Sequence, residues 1–297
     1  MVELLEMSTD WENVNMSDPI DSDYIPHYWL LEAEKLTEEI KREAAKLTPE
    51  EARYHVSGYY TSQLNRTRHD NQIRSMKESG EPTTLIHYLS RNSRIMEKNI
   101  QAVLLAYAQE HKESAWAMSI TGIGPVIASG LAAHIDVTRA ATAGAVWRFA
   151  GQDPTSIWGK NQKRPWNAKL KTLCWKIGES FVKVQNKESD IYGKIYKARR
   201  ALEEDRNNDL QFAEQAEVKL KIVGKDTEAY KYYSVGKLPP NHLYSRSKRY
   251  AVKLFLAHYH HAAYMVMFGR EPEKPYILNQ PGHTHMIVPP NLELITG

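Results

Sequence analysis

The stretch Ser119–Ile135, SITGIGPVIASGLAAHI, forces a sharp reversal between two short helical patterns, and any fold of this chain has to accommodate it. Upstream, Trp116 and Ile120 stand one helical turn apart. Downstream, Ile127, Leu131 and Ile135 repeat every four residues, the apolar stripe of a buried helix. Gly122 and Gly124 are free to take positive φ and carry no side chain, so the backbone can turn tightly and approach a ligand closely. Pro125 suits the first turn of the second helix, where no N–H is needed. This is the layout of a helix-hairpin-helix. Its backbone N–H groups at a helix N-terminus form a seat for a phosphate oxygen, a contact that holds nucleic acid without reading its sequence. The alternative is a helical corner used for packing alone.

The rest of the chain is helical in pattern too. The expected fold class is all-α, a helical protein containing a helix-hairpin-helix, with a short extended C-terminal tail. Tyr28–Lys46 reads as one amphipathic helix. Thr48-Pro49-Glu50-Glu51 opens a second with an N-cap, a Pro in its first turn and early acids. Gly80-Glu81-Pro82 breaks that pattern, and Leu85–Gln109 resumes it up to the hairpin. Helices over Ala168–Lys183, Asp190–Lys221 and Tyr244–Phe268 follow, with Gly236–Pro240 as a linker. Strand-like alternation is confined to Tyr276–Val288, which predicts the extended tail. The expected organisation is a flexible acidic arm (1–24), an N-terminal helical region (25–110), a helix-hairpin-helix domain (111–270) and the tail (271–297).

With 297 residues, 42% apolar and 25% charged, the chain can bury a full core. A single cysteine, Cys174, excludes a disulfide framework; set in the pattern Leu170, Leu173, Cys174, Ile177, it reads as core filler. There is neither a signal peptide nor an apolar run long enough to span a bilayer, so a cytoplasmic location and no membrane partner are expected. The net charge of +3 is unevenly spread. The first 24 residues hold seven acids (Glu3, Glu6, Asp10, Glu12, Asp18, Asp21, Asp23) and no Lys or Arg, which leaves 39 basic against 29 acidic residues in a body of +10. Such an arm either competes with nucleic acid for the basic surface or is simply a solvated terminus.

Three groups combine cations with aromatic rings. Lys160, Lys163, Arg164, Lys169 and Lys171 accompany Trp158 and Trp166 in a stretch that can neutralise phosphates while stacking on unpaired bases. Arg246, Lys248, Arg249 and Lys253 form a second group, in which the i, i+3 and i+7 spacing puts Arg246, Arg249 and Lys253 on one helical face. Between Arg53 and Arg74, Tyr54, Tyr59 and Tyr60 interleave with Arg66 and Arg68. Any one of these could be a solvated helix face; their recurrence beside the hairpin points to nucleic acid. The expected DNA-binding residues are Gly122, Ile123, Gly124, Trp158, Lys160, Lys163, Arg164, Trp166, Lys169, Arg246, Arg249 and Lys253.

The order of parts after the hairpin, AAHIDVTRAATAGAVWRFAGQDPTSIWGKNQKRPWNAKLKTLCWKIGESF, resembles the C-terminal domain of bacterial and archaeal transposases of the insertion-sequence 110/116/902 family. The matching parts are Gly122 to Gly124, Asp136, Trp147 to Phe149, the turn Phe149 to Pro154, and Lys160 to Lys171. The likeness is close over Glu113 to Phe181 and looser to Tyr232 and Arg246 to Leu256. It implies DNA transposition or recombination, with branched or single-stranded DNA, a guide RNA, a second copy of the chain or a separate catalytic subunit as partners. The family's RuvC-like N-terminal domain has no counterpart in Met1 to Glu113. Its nucleophilic serine aligns with Trp158-Gly159, and Ser156 sits two positions early. The reading is therefore a DNA-binding protein without its own chemistry. An active transposase with Ser156 as nucleophile and a divalent metal supplied through a partner is the first alternative; a structural component of a phage or mobile element is the second.

The remaining polar clusters call for no metal site. His258, His260 and His261 crowd one helix, and His283 and His285 form an H-x-H pair, yet no second cysteine or acid cluster completes a zinc spacing. Asp136, Asp153, Glu179 and Asp190 are scattered, and Asp136 is expected to close a helix or pair with Arg139. No cofactor is expected.

Overall fold

Helix starts follow the capping chemistry of the sequence. The structure, a computed structural model, describes residues 37–273 and 286–296. The Thr37 hydroxyl accepts from the Ile40 amide and opens α1 (Glu38–Ala45). Thr48 and Glu51 form a reciprocal capping box for α2 (Pro49–Glu78), with Pro in the first turn. Gly80 at φ 75° ends that helix, and α3 (Thr84–Gln109) returns antiparallel to it. Arg66 of α2 meets Glu97 of α3 at 2.6 Å, and Asp70 takes Ser90 and Arg94, so the polar side of this hairpin is tied at several levels.

Next come α4 (Lys112–Met118), the hairpin turn, α5 (Pro125–His134), a single 3₁₀ turn (Val137–Arg139) and α6 (Ala143–Phe149). A non-helical loop leads to α7 (Ala168–Val184), whose N-cap Asn167 accepts from the Leu170 amide at 2.9 Å. The helix read over Asp190–Lys221 is two, α8 (Tyr192–Asn208) and α9 (Ala213–Leu220), divided at Leu210, which is left-handed at φ 58°. Asn207 explains the break: its amide bonds both backbone groups of Leu238, at 2.8 and 3.1 Å, and Asn-Asn-Asp is a poor helical run. Short α10 (Glu228–Tyr233) precedes α11 (Pro240–Phe268), which begins inside the stretch read as a linker and ends at left-handed Gly269. The final element is α12 (Glu293–Thr296), a helical turn within the tail expected to be extended. The described residues are all-α.

The main core joins α4, α5, α7, α8 and α11 around Trp116, Leu131, Ile177, Phe181, Tyr192, Phe255 and Tyr259, all under 2% exposed. Trp116 stacks on Phe255 with centroids 5.9 Å apart, and Phe181 on Tyr192 at 5.0 Å. A satellite cluster of Phe212, Ala216, Tyr233, Leu238 and Leu243 serves α9 and α10. The boundary expected at 110/111 falls inside one compact unit, because Val56 and Leu104 from α2 and α3 pack on Val126 of α5. The acidic arm, His283 and His285 lie outside the described residues. No helix among the described residues is long and apolar enough to cross a membrane.

Candidate nucleic-acid interface

The turn Ser119–Gly124 joins α4 to α5, and its two glycines do different jobs. Gly122 is left-handed at φ 97°, whereas Gly124 is extended at φ −102° and serves as the N-cap of α5. The freedom expected at both positions is used at Gly122 alone. No side chain caps α5, and Gly124 is exposed while Ile123 is 5% exposed in the core. The turn is anchored from behind. The Ser180 hydroxyl donates to the Gly122 carbonyl, and the Thr121 hydroxyl is 2.9 Å from the Ser189 hydroxyl.

Helix α7 runs antiparallel to α5 and fixes where everything else lies. Gly122 meets Ser180 and Val184 at the end of α7, Gly130 meets Leu173 near its start, and the charge of Lys169 reaches His134 at the C-terminus of α5. The hairpin turn and the Trp158–Trp166 loop therefore sit at opposite ends of α7. Its 17 residues span about 25 Å at about 1.5 Å each. The hairpin amides and the basic loop are thus about one helix length apart rather than side by side.

At the N-terminal end of α7 the cations and indoles from three chain segments do converge. Trp158 and Trp166 meet edge to face at 6.2 Å. The Arg164 guanidinium lies 5.1 Å from the Trp158 ring centre, and the Lys171 ammonium 4.0 Å from that of Trp166. Lys171 is held below the ordinary lysine pKa by partial burial and then by the charges of Arg249 and Arg164. From α11, the Lys253 ammonium covers Trp147 at 4.2 Å, while the Trp147 indole N–H donates back to the Lys253 carbonyl at 2.8 Å. Burial, and then the charge of Arg249, lowers the pKa of Lys253 as well, against the opposing pull of Asp153. Among the described residues none of Arg164, Lys171, Arg249 and Lys253 has a carboxylate at ion-pair distance. Lys160 and Lys163 are exposed on the same loop.

Other expected contacts are spent elsewhere. Arg246 turns to the buried Glu203 at 2.9 Å and covers Phe212, while Lys248 is buried against Glu179, Trp175 and Tyr244. Lys169 faces His134, away from the Lys171 group. Arg66 is held by Glu97 and Asp70. Trp147 was absent from the expected contact set, whereas Lys171 was named in the basic stretch but not among the expected contacts. Trp147 left no signal, because its partner Lys253 is 106 positions away.

The chemistry of the remaining clusters is structural. The Ser156 amide donates to the Asp153 carbonyl, while the Asp153 carboxylate accepts from the Thr155 amide and hydroxyl and pairs with Arg148. Among the described residues no histidine or carboxylate is hydrogen-bonded to the Ser156 hydroxyl. Asp136 accepts from Thr138 rather than pairing with Arg139, and Asp190 accepts from the Gly193 and Lys194 amides at the start of α8. His258 bridges Tyr192 and the Ile287 carbonyl, and His260 meets the Ala140 carbonyl. Among the described residues no three His, Cys, Asp or Glu side chains are grouped to hold a metal ion. Comparison with known protein families, with curated proteins and with solved structures found no match to this chain.

Proposed function

We propose that this protein binds DNA through its phosphate backbone, at the meeting of the α6–α7 loop with α7 and α11. The observation that carries this is the crowding of Arg164, Lys171, Arg249 and Lys253 without a paired carboxylate, two of them with pKa values lowered in part by their neighbours' charge. Like charges packed together cost free energy that a polyanion recovers. The indoles of Trp158 and Trp166 add faces that tolerate any base. The hairpin is a second, separate contact about one helix length away. The sequence resemblance to a transposase C-terminal domain supports the same class of ligand and a role in DNA transposition or recombination. Binding without catalysis fits the unactivated Ser156.

The test is fluorescence anisotropy with labelled duplex and single-stranded DNA over a salt series. The variant Arg164→Ala/Lys171→Ala/Arg249→Ala is expected to weaken both and to flatten the log–log salt slope by about 2–3, near 0.9 per duplex phosphate contact. Unchanged affinity and slope in a folded triple variant would overturn the proposal. A covalent DNA adduct that is abolished in Ser156→Ala would establish catalysis instead.

A further inference from the structure

Between α6 and α7 the chain holds an aliphatic side chain out in water. Ile157 is 90% exposed, more than any other large apolar residue among those described. It is not the tip of a slack loop. On one side the Asp153 carboxylate closes a turn, accepting from the Thr155 amide at 2.9 Å and its hydroxyl at 2.7 Å. On the other, the Trp158 indole donates to the Gln162 carbonyl at 2.7 Å and the Gly159 amide to the Gln162 side chain at 3.1 Å. Asn161 completes that second turn in the left-handed region at φ 67°. Ile157 sits between two closed turns, and its own β-branch leaves it few rotamers. A stiff apolar group presented on a stiff support is pre-organised to be covered.

Its surroundings choose the cover. Trp158 follows directly, 41% exposed, and Lys160, Lys163 and Arg164 lie within the next seven positions, none ion-paired among the described residues. The neighbouring Asp153 is neutralised by Arg148 at 3.3 Å. An aliphatic tip ringed by free cations matches a ligand whose charges flank an apolar interior, which is a base stack between two phosphate rails. We infer that Ile157 is a wedge that enters an opened base step while Arg164 and the loop lysines hold the flanking phosphates. Trp158 stands beside it as a stacking face for the displaced base. Entry is cheapest where stacking is already broken, so the preferred ligand is bent, mismatched or bulged DNA over regular duplex. The inference rests on the DNA-binding reading and deepens it.

The experiment compares the full chain with Ile157→Ala on a short regular duplex and on the same duplex with a small central bulge, with 2-aminopurine placed at the bulged step. Wild type is expected to favour the bulge by about tenfold and to raise the 2-aminopurine fluorescence as the step unstacks. Ile157→Ala is expected to lose both the preference and the fluorescence rise while binding regular duplex within about twofold of wild type. If the variant binds regular duplex and keeps both, the wedge is refuted and DNA binding stands. If neither protein binds any DNA, the underlying reading has failed. Anionic phosphatidylglycerol vesicles form the last arm: retention by wild type and not by Ile157→Ala, with DNA behaviour unchanged, would assign the tip to a lipid surface and overturn the wedge.

Discussion

Gly122 and Gly124 are indistinguishable as letters, yet replacing each by alanine should have very different costs. At Gly122 the backbone is left-handed at φ 97°, and an added Cβ would lie 3.1 Å from Ser180 Oγ and 3.2 Å from Val184 Cγ2. The left-handed conformation costs a non-glycine residue about 1–2 kcal/mol, and both neighbours belong to α7, which is fixed in the core. Ser180 also donates to the Gly122 carbonyl, so it cannot yield without loosening that bond. A total of about 2–3 kcal/mol follows, or a Tm lower by about 3–5 °C for a chain of this size. At Gly124, with φ −102° and nothing within 4 Å of the new Cβ, alanine merely replaces a fair N-cap with a poor one, at about 1 kcal/mol. The assay is thermal and urea unfolding of the two single variants, with Gly122→Ala/Ser180→Ala as a third. Removing the Ser180 hydroxyl should return part of the crowding and none of the backbone strain. Equal losses at the two glycines would refute the reasoning and the hairpin geometry with it.

Burial pushes His258 down to about 4, although its bond to the Ile287 carbonyl pulls the other way. The unfolded chain then binds a proton near pH 6.5 that the folded chain refuses, so stability falls as pH drops through 6.5 toward 4, by about 3 kcal/mol for this residue. His134, also lowered to about 4 by burial and then by Arg53 and Lys169, acts in the same direction and more weakly because it is half-buried. Urea midpoints between pH 7 and pH 5 should show the decline, and a flat profile there would contradict the burial of these rings. Asp190→Ala should cost about 2–3 kcal/mol, because the Gly193 and Lys194 amides at 3.0 and 2.8 Å lose their acceptor in a site that is 2% exposed. Hydrogen exchange at those two amides should accelerate before that of the α8 interior; exchange no faster than in wild type would mean that water replaces the carboxylate at little cost.

Helices were legible wherever local chemistry decides. The Thr48 and Glu51 capping box, the Gly80 break and the α7 stripe of Leu170, Leu173 and Ile177 follow from neighbours within a turn or two. The split between α8 and α9 was not, because Asn207 answers to Leu238, far along the chain. The site divides in the same way. Trp158, Arg164 and Trp166 are close in sequence and stay close in space. Arg249 and Lys253 were visible as a basic face, but whether a cation on that face is free depends on what lies opposite. Arg246, one turn before Arg249, meets the buried Glu203, and no periodicity in α11 encodes a carboxylate on α8. The opposed placement of hairpin and loop is likewise a product of α5 and α7 running antiparallel, which neither helix specifies alone.

The segment 286–296 closes over groups that belong to the middle of the chain. Trp116, wholly buried, donates its indole N–H to the Pro290 carbonyl at 2.7 Å across 174 positions, His258 meets Ile287 at 2.9 Å, and Asn291 reaches Ser119. Until that segment docks, two donors at the heart of the aromatic core must keep water as their partner, and the core they sit in cannot dry. Closing so long a loop costs little more than closing one half its length, but it cannot be done locally or early. The consequence lies in the order of assembly. Collapse of α4, α7 and α11 can precede the arrival of residues 287–291, yet the carbonyls that satisfy Trp116 and His258 come only with it.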